Sequence, residues 1–161
     1  VTGLDISEKM LDVGRQKVAD RNLNDKVVLI SGDAENLNFS KNSFDLISIG
    51  FGVRNFQNLE KGISESFRVL RNGGTLIILE TSVPQNRFIK FFYLLFSRTF
   101  IPLVGSVFSK DKKAYKYLQK SAEEFPSGKK FGQILKSCGF NSVEILPLML
   151  GASSIYIAKK N

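Results

Sequence analysis

FDLISIGFGVRN, Phe44 to Asn55, decides how the rest of the chain reads. Leu46, Ile47 and Ile49 form an aliphatic, β-branched run that is short for a helix and has the character of a strand buried on both faces of a parallel sheet. The run stops at Gly50 and Gly52, and Arg54-Asn55 follows. In an open α/β sheet, ligands sit outside the carboxyl ends of the parallel strands, so 50–55 is where a site is expected. The two glycines let a backbone approach a ligand or turn with positive φ. A tight strand-to-helix loop with a merely solvated arginine satisfies the local sequence equally well, and both readings stay open at this point.

Working outward, Val1 to Asp5 reads as the end of a strand that stops on a carboxylate. Ser7 is placed to cap a helix with Glu8 in its first turn, and Met10, Gly14 and Val18 share one face. Val27 to Ile30 is a second strand, ending in Ser31-Gly32-Asp33-Ala34. After Phe44 to Ile49, the residues Leu59, Ile63, Phe67 and Leu70 recur at helical spacing, with Asn58 as cap and Asn72-Gly73-Gly74 as terminator. Leu76 to Leu79 is the next strand, with Glu80 at its carboxyl end. Such alternation predicts βαβ units and a parallel sheet.

Phe88 to Phe108 breaks the alternation as the most apolar and aromatic stretch of the chain. Lys90, Arg98 and Pro102 interrupt it, which argues against a membrane span of about 20 apolar residues. A helical insertion packed on the sheet and a greasy surface for an apolar substrate or a membrane both fit. Lys112 to Glu124 reads as a further helix carrying Tyr115 and Tyr117, and Phe131, Ile134, Leu135 and Cys138 as a shorter one closed by Gly139. Val143 to Leu148 and Ala152 to Ala158 are strands whose link is too short for a crossover, so the sheet should end in an antiparallel pair. The expectation is one α/β domain over 1–161, with a helical insertion at about 86–126.

Composition narrows the chemistry. The 161 residues contain no histidine and a single cysteine, Cys138. The commonest general base and metal ligand are therefore absent, no metal site is expected, and the lone cysteine fits a reducing compartment with a packing role. The formal charge of +8 favours anionic partners. Its lysines form no stripe with interleaved aromatics, so nucleic acid is not the expected partner.

Asp5, Asp33 and the Gly50 loop close three successive strands on one edge. A carboxylate there can accept from both ribose hydroxyls. A second can accept from an exocyclic adenine amine while the Ala34 N–H reaches a ring nitrogen, so the pair suits an adenosine. Asp5 as a helix-cap neighbour and Asp33 as a turn former are the plainer alternatives. A nicotinamide-dependent oxidoreductase would use such an acidic residue as well.

RVLRNGGTLIILETS, Arg68 to Ser82, closely resembles the signature of the ubiquinone and menaquinone biosynthesis C-methyltransferases (UbiE/MenG type). FGVRN at Phe51 to Asn55 is similar to that family's loop after its fourth strand. LDISEKML at Leu4 to Leu11 and GDAENLNF at Gly32 to Phe39 resemble its ribose- and adenine-contacting segments. IPLVGSVFSKDKKAYKYLQKSAEEFP resembles its substrate-side insertion. The resemblance implies a Rossmann-like class I methyltransferase sheet that binds S-adenosylmethionine through Asp5, Asp33, Ala34 and Gly50. It implies Arg54 and Asn55 as the residues facing a polyprenylated quinol, demethylmenaquinol above all, in a cytoplasmic enzyme; peripheral contact with the inner face of the membrane and a homodimer both stay open.

Arg71-Asn72 stand where Lys-Pro is usual, and Gly50 where Ser or Ala is common. The family's first strand and glycine-rich loop have no counterpart here, so the chain is expected to start inside the second strand, to leave strand edges unpaired, and to be inactive or aggregating alone. A non-catalytic scaffold in quinone biosynthesis is the alternative that this raises.

Overall fold

The computed structural model describes residues 1–108 and 112–161. Strand β1 (Thr2–Asp5), helix α1 (Glu8–Asp20) and strand β2 (Val28–Ser31) form a βαβ unit in which β1 and β2 pair in parallel, Asp5 opposite Ser31. Leu29 fills the space between helix and strand. A Cβ on Gly3 would stand 2.7 Å from its side chain and one on Gly14 2.8 Å, so both positions are glycine for close packing. The face that α1 turns inward is set by Leu11, which is buried, with Gly14 and Val18 beside it. Met10 is 59% exposed, so the inward face expected for it is shifted by one residue. Ser7 is the N-cap residue, but its hydroxyl makes no cap. Its own N–H instead donates to Asp5 Oδ1 at 2.8 Å, an acidic side chain serving the free backbone at the helix start.

Strand β3 (Phe44–Gly50), helix α2 (Leu59–Val69) and strand β4 (Leu70–Thr81) form the next unit, with β3 and β4 parallel and Gly50 opposite Leu79. Helices α3 (Arg87–Phe108), α4 (Lys112–Glu124) and α5 (Lys129–Ser137) follow, then strands β5 (Ser142–Leu148) and β6 (Ser153–Lys159). Strand β6 runs antiparallel to both β4 and β5, giving the order β3-β4-β6-β5. The parallel units with an antiparallel C-terminal pair are as expected. Among the described residues the strands fall into two sheets, β1-β2 and this four-stranded one, with no ladder between them.

The core lies under the four-stranded sheet, where Ile63 of α2 and Phe131 and Leu135 of α5 meet Leu76, Ile78 and Tyr156, all fully buried. The Phe131 ring meets Tyr156 edge-on at 4.8 Å between centroids. Asn58 caps α2 as its sequence predicts, its Oδ1 accepting from the Lys61 N–H at 3.0 Å. The end of α2 differs from expectation. The helix stops at Val69 and the chain passes directly into β4, so Asn72-Gly73-Gly74 lies inside the strand and not at a helix cap. Gly73, at φ +79, donates to the Lys160 carbonyl at 2.6 Å.

Lys160 closes the helix instead. Its ammonium, nearly buried, donates to the carbonyls of Phe67 at 2.8 Å and Leu70 at 2.6 Å and to Asn42 Oδ1 at 3.1 Å, and lies 4.5 Å from the Phe67 ring centroid. Desolvation lowers its pKa from 10.5. Lys160→Met should cost about 1–3 kcal/mol by leaving buried acceptors unpaired. Because the folded state holds the proton less tightly than the unfolded chain, wild-type stability should rise as pH climbs from the lowered pKa toward 10.5, and the Met variant should lose that rise. Urea melts of both proteins from neutral to alkaline pH check this.

Candidate functional site

The carboxyl ends of two parallel strand pairs carry Asp5 and Asp33 (β1 and β2) and the Gly50 loop and Glu80 (β3 and β4). Asp5 Oδ1 takes the Ser7 N–H, and Asp33 Oδ1 takes the Glu35 N–H at 2.8 Å. Each aspartate therefore shapes its own turn with one oxygen, and its second oxygen makes no hydrogen bond among the described residues. Glu35 was not singled out by sequence. Its carboxylate accepts from the backbone of Gln57 at 2.6 Å and Asn58 at 3.1 Å, tying the Asp33-Ala34 segment to the exit of the Gly50 loop.

The loop gains its shape from an unexpected residue. Phe51, not either glycine, has positive φ, at 54°, a conformation that costs a non-glycine residue roughly 1–2 kcal/mol. Its N–H donates to the Leu79 carbonyl at 2.8 Å, which extends the β3–β4 ladder by one bond and holds the turn. A Cβ on Gly52 would come 3.1 Å from Ile49, whereas one on Gly50 would meet nothing within 4 Å. Serine or alanine therefore fits at Gly50, and the space beside it is open to a ligand.

Val53–Asn55 form a single 3₁₀ turn with Val53 buried, which directs Arg54 inward. Arg54 Nη1 binds Glu80 Oε1 at 2.5 Å, and the Arg54 N–H reaches Oε2 at 3.4 Å. Thr81 adds its N–H at 2.7 Å and its hydroxyl at 3.1 Å to Oε1. Glu80 is fully buried and the Arg54 side chain is 11% exposed. Arg54 Nε is buried and has no hydrogen-bond partner among the described residues. The Arg54 cation sits 5.9 Å from the Phe51 ring centroid. The pairing follows from the β3–β4 register, since residues just beyond Gly50 must lie beside those just beyond Leu79.

Asn55 is held from α4. The Tyr117 hydroxyl of α4 donates to Asn55 Oδ1 at 3.1 Å, so the amide NH2 is the face left to donate. The Tyr115 side chain lies outside the described residues. Arg54, Val53, Phe56, Leu59 and Tyr117 line a cavity of about 360 Å³, with Lys120 at its rim. The site thus offers a strand-end carboxylate at Asp5 and another at Asp33, open space at Gly50, and an ion-paired arginine beside a small cavity. Of the expected site residues, Arg54 lines the cavity, Asn55 lies next to it in the 3₁₀ turn and is hydrogen-bonded to the cavity residue Tyr117, and Asp5, Asp33, Ala34 and Gly50 lie at or just beyond strand ends. Glu80 could have been ranked with Asp5 and Asp33 on the same rule, a carboxylate closing a strand.

The fold is that of class I S-adenosylmethionine-dependent methyltransferases. Such an enzyme from Thermotoga maritima superposes with a TM-score of 0.67 at 20% identity, over 99% of this chain and 72% of the other. One from Aquifex aeolicus gives 0.66 at 16% identity, over 98% and 67%. The chain belongs to the ubiE/COQ5 methyltransferase family, whose profile matches residues 1–160. A demethylmenaquinone methyltransferase of Bacteroides fragilis is 40% identical over 158 residues, 98% of this chain and 64% of the relative. Its namesake in Chlorobaculum tepidum is 39% identical over 160 residues, 99% and 64% of the two chains. The chain thus spans just under two thirds of the length of these relatives.

Proposed function

We propose that the protein carrying this chain transfers a methyl group from S-adenosylmethionine to a ring carbon of a polyprenylated quinol, converting a demethylmenaquinol to a menaquinol. The observation that carries the reading is the Arg54–Glu80 pair beside the cavity at the end of β3. It is supported by the family and by what its relatives are called. The same family assignment sets the nicotinamide alternative aside.

S-adenosylmethionine supplies a methyl group already activated by its sulfonium, so the protein's work is to align, to exclude water and to manage one proton. Asp5 would accept from the ribose hydroxyls through the oxygen that its turn leaves open, and Asp33 and the Ala34 N–H would hold the base. The open space at Gly50 admits the cofactor to the strand end. The acceptor carbon becomes nucleophilic when a quinol hydroxyl ionises. A guanidinium is not deprotonated in proteins, so the base is sought elsewhere than at Arg54. With one nitrogen neutralised by Glu80, it acts as a fixed donor, stabilising the phenolate or orienting a water that takes the ring proton. Asn55, its oxygen occupied by Tyr117, donates its amide to a quinol oxygen.

Asp5→Ala tests the cofactor half. Calorimetric titration should show S-adenosylmethionine affinity reduced about 10- to 100-fold, the loss of a charged hydrogen bond, with turnover at saturating cofactor nearly kept. Unchanged affinity contradicts the ribose assignment. The prenyl tail makes a cytoplasmic enzyme working at the inner membrane face part of the same proposal, as is a homodimer, which sedimentation would test. Among the described residues no helix is long and apolar enough to cross a membrane.

A further inference from the structure

The turn that carries Arg54 and Asn55 is fastened at both ends by carboxylates from elsewhere in the chain. At its start the Arg54 N–H reaches Glu80 Oε2 at 3.4 Å. At its exit Glu35 takes two consecutive backbone donors, the Gln57 N–H on Oε1 at 2.6 Å and the Asn58 N–H on Oε2 at 3.1 Å. Between them the Asn55 and Phe56 N–H groups close on the carbonyls of Gly52 and Val53, at 3.0 and 3.2 Å. Each backbone N–H from 54 to 58 therefore has an acceptor, and Glu35 serves the last two.

The local sequence explains why that carboxylate comes from a distance. Asn58 is the N-cap of α2 and accepts from the Lys61 N–H. In a capping box the residue three places after the cap is Glu or Gln, and its side chain accepts from the N–H of the cap residue. Here that residue is Lys61, whose side chain has no acceptor. Glu35, 23 residues before the cap, takes its place and adds the Gln57 N–H. A negative charge there also suits the N-terminal end of the helix dipole.

Glu35 at the same time belongs to the other half of the candidate site, because its own N–H donates to Asp33 Oδ1 at 2.8 Å. The segment that follows is fastened to α2 a second time, farther along the helix. The Leu37 N–H donates to Glu65 Oε2 at 2.9 Å, and Arg68, paired with Glu65, reaches the carbonyls of Leu37 and Phe39 at 2.8 and 2.7 Å. The two fastenings differ in what they join. Glu65 and Arg68 hold the segment to the body of α2, whereas Glu35 joins the Asp33 turn to the exit of the Arg54 turn.

We propose that Glu35 is a positioning residue for methyl transfer: it holds the Arg54-Asn55 turn in register with the Asp33-Ala34 segment, so that a cofactor bound at the one orders the other. The proposal deepens the quinol-methylation reading, on which it rests for the reaction it affects. Glu35 touches no reacting atom, and its effect passes through the turn. A misplacement of about 1 Å at a reacting group costs about 10²-fold in rate even when the altered residue lies away from the chemistry. Glu35 is half-buried and both of its donors sit on exposed residues. Water can therefore replace these bonds at little cost to the fold, and the loss falls on geometry.

In the full-length protein, Glu35→Ala should lower turnover at saturating S-adenosylmethionine and quinol about 10- to 100-fold. Cofactor affinity should stay within about threefold and the melting temperature within about 3 °C. Glu35→Gln keeps one acceptor oxygen and should recover part of the turnover. Glu65→Ala is the control, since it loosens the same segment away from the turn: melting should fall by about 3–6 °C while turnover stays within about twofold. Turnover within about threefold of wild type in Glu35→Ala, an equal loss in Glu65→Ala, or a loss carried wholly by cofactor affinity would overturn the proposal.

Amide hydrogen exchange needs no quinol and so separates the two claims. Adding S-adenosylmethionine to the wild type should slow exchange at residues 53–58 about tenfold or more, and Glu35→Ala should lose most of that slowing. If this pattern holds while the wild type methylates no quinol, the tie stands and the quinol reading falls. If quinol is methylated and the slowing is the same in both proteins, the tie falls and the quinol reading stands.

Discussion

Glu80→Ala should destabilise the protein by about 3–5 kcal/mol, the cost of leaving a buried charge without its partner. Glu80 is fully buried and accepts from the Arg54 guanidinium, the Arg54 N–H, and the Thr81 N–H and hydroxyl, so its removal orphans four donors at one step. The Arg54 charge, 11% exposed, then has neither water nor an anion to face. Glu80→Leu combined with Arg54→Met should recover much of the loss, because an apolar pair of similar volume leaves no charge behind, although the backbone N–H donors remain unpaired. Equilibrium urea unfolding of the single and double variants measures this directly. A loss below about 1 kcal/mol in Glu80→Ala would mean that water reaches the pair and that the charge is not buried.

Arg54→Lys should lower turnover about 10²- to 10³-fold, the loss typical of one fixed donor at a developing oxyanion. Lysine is preferred to alanine here because it keeps a cation opposite Glu80 and so limits the damage to the fold. It cannot reproduce the planar guanidinium, whose Nη1 is committed to Glu80 while Nε stays buried and, among the described residues, unpartnered. S-adenosylmethionine affinity should stay within a few-fold of wild type, since Arg54 faces the cavity that Phe56, Leu59 and Tyr117 share and not the strand ends of Asp5 and Asp33. Rapid-quench turnover paired with calorimetric cofactor binding makes the comparison. Turnover within about threefold of wild type, or an equal loss in cofactor affinity, contradicts the role.

The strands, and the edge on which the candidate site lies, were legible because their signals are local. Apolar runs of a few residues that stop on Asp, Gly or Glu report both the strand and its carboxyl end. What escaped depends on partners far along the chain. Arg54 and Glu80 are 26 residues apart and meet only through the parallel β3–β4 register. Lys160 reaches Asn42 across 118 residues, and no pattern around either announces it. Local rules also misled where tertiary bonds override them. Gly50 and Gly52 were the natural choices for positive φ, yet the bond from Phe51 to Leu79 places it on Phe51. The Asn72-Gly73-Gly74 run looked like a helix terminator, yet α2 ends three residues earlier and Lys160 satisfies its carbonyls.

The central claim, carbon methylation of a prenylated quinol, is tested most directly by incubating the full-length protein with methyl-labelled S-adenosylmethionine and reduced demethylmenaquinone, and then locating the label by mass spectrometry and NMR. The account predicts label on the quinone ring carbon, retained after reoxidation, and reduced about 10²-fold or more in Arg54→Lys. Label on a quinol oxygen, or none on the quinol with cofactor binding intact, would contradict it.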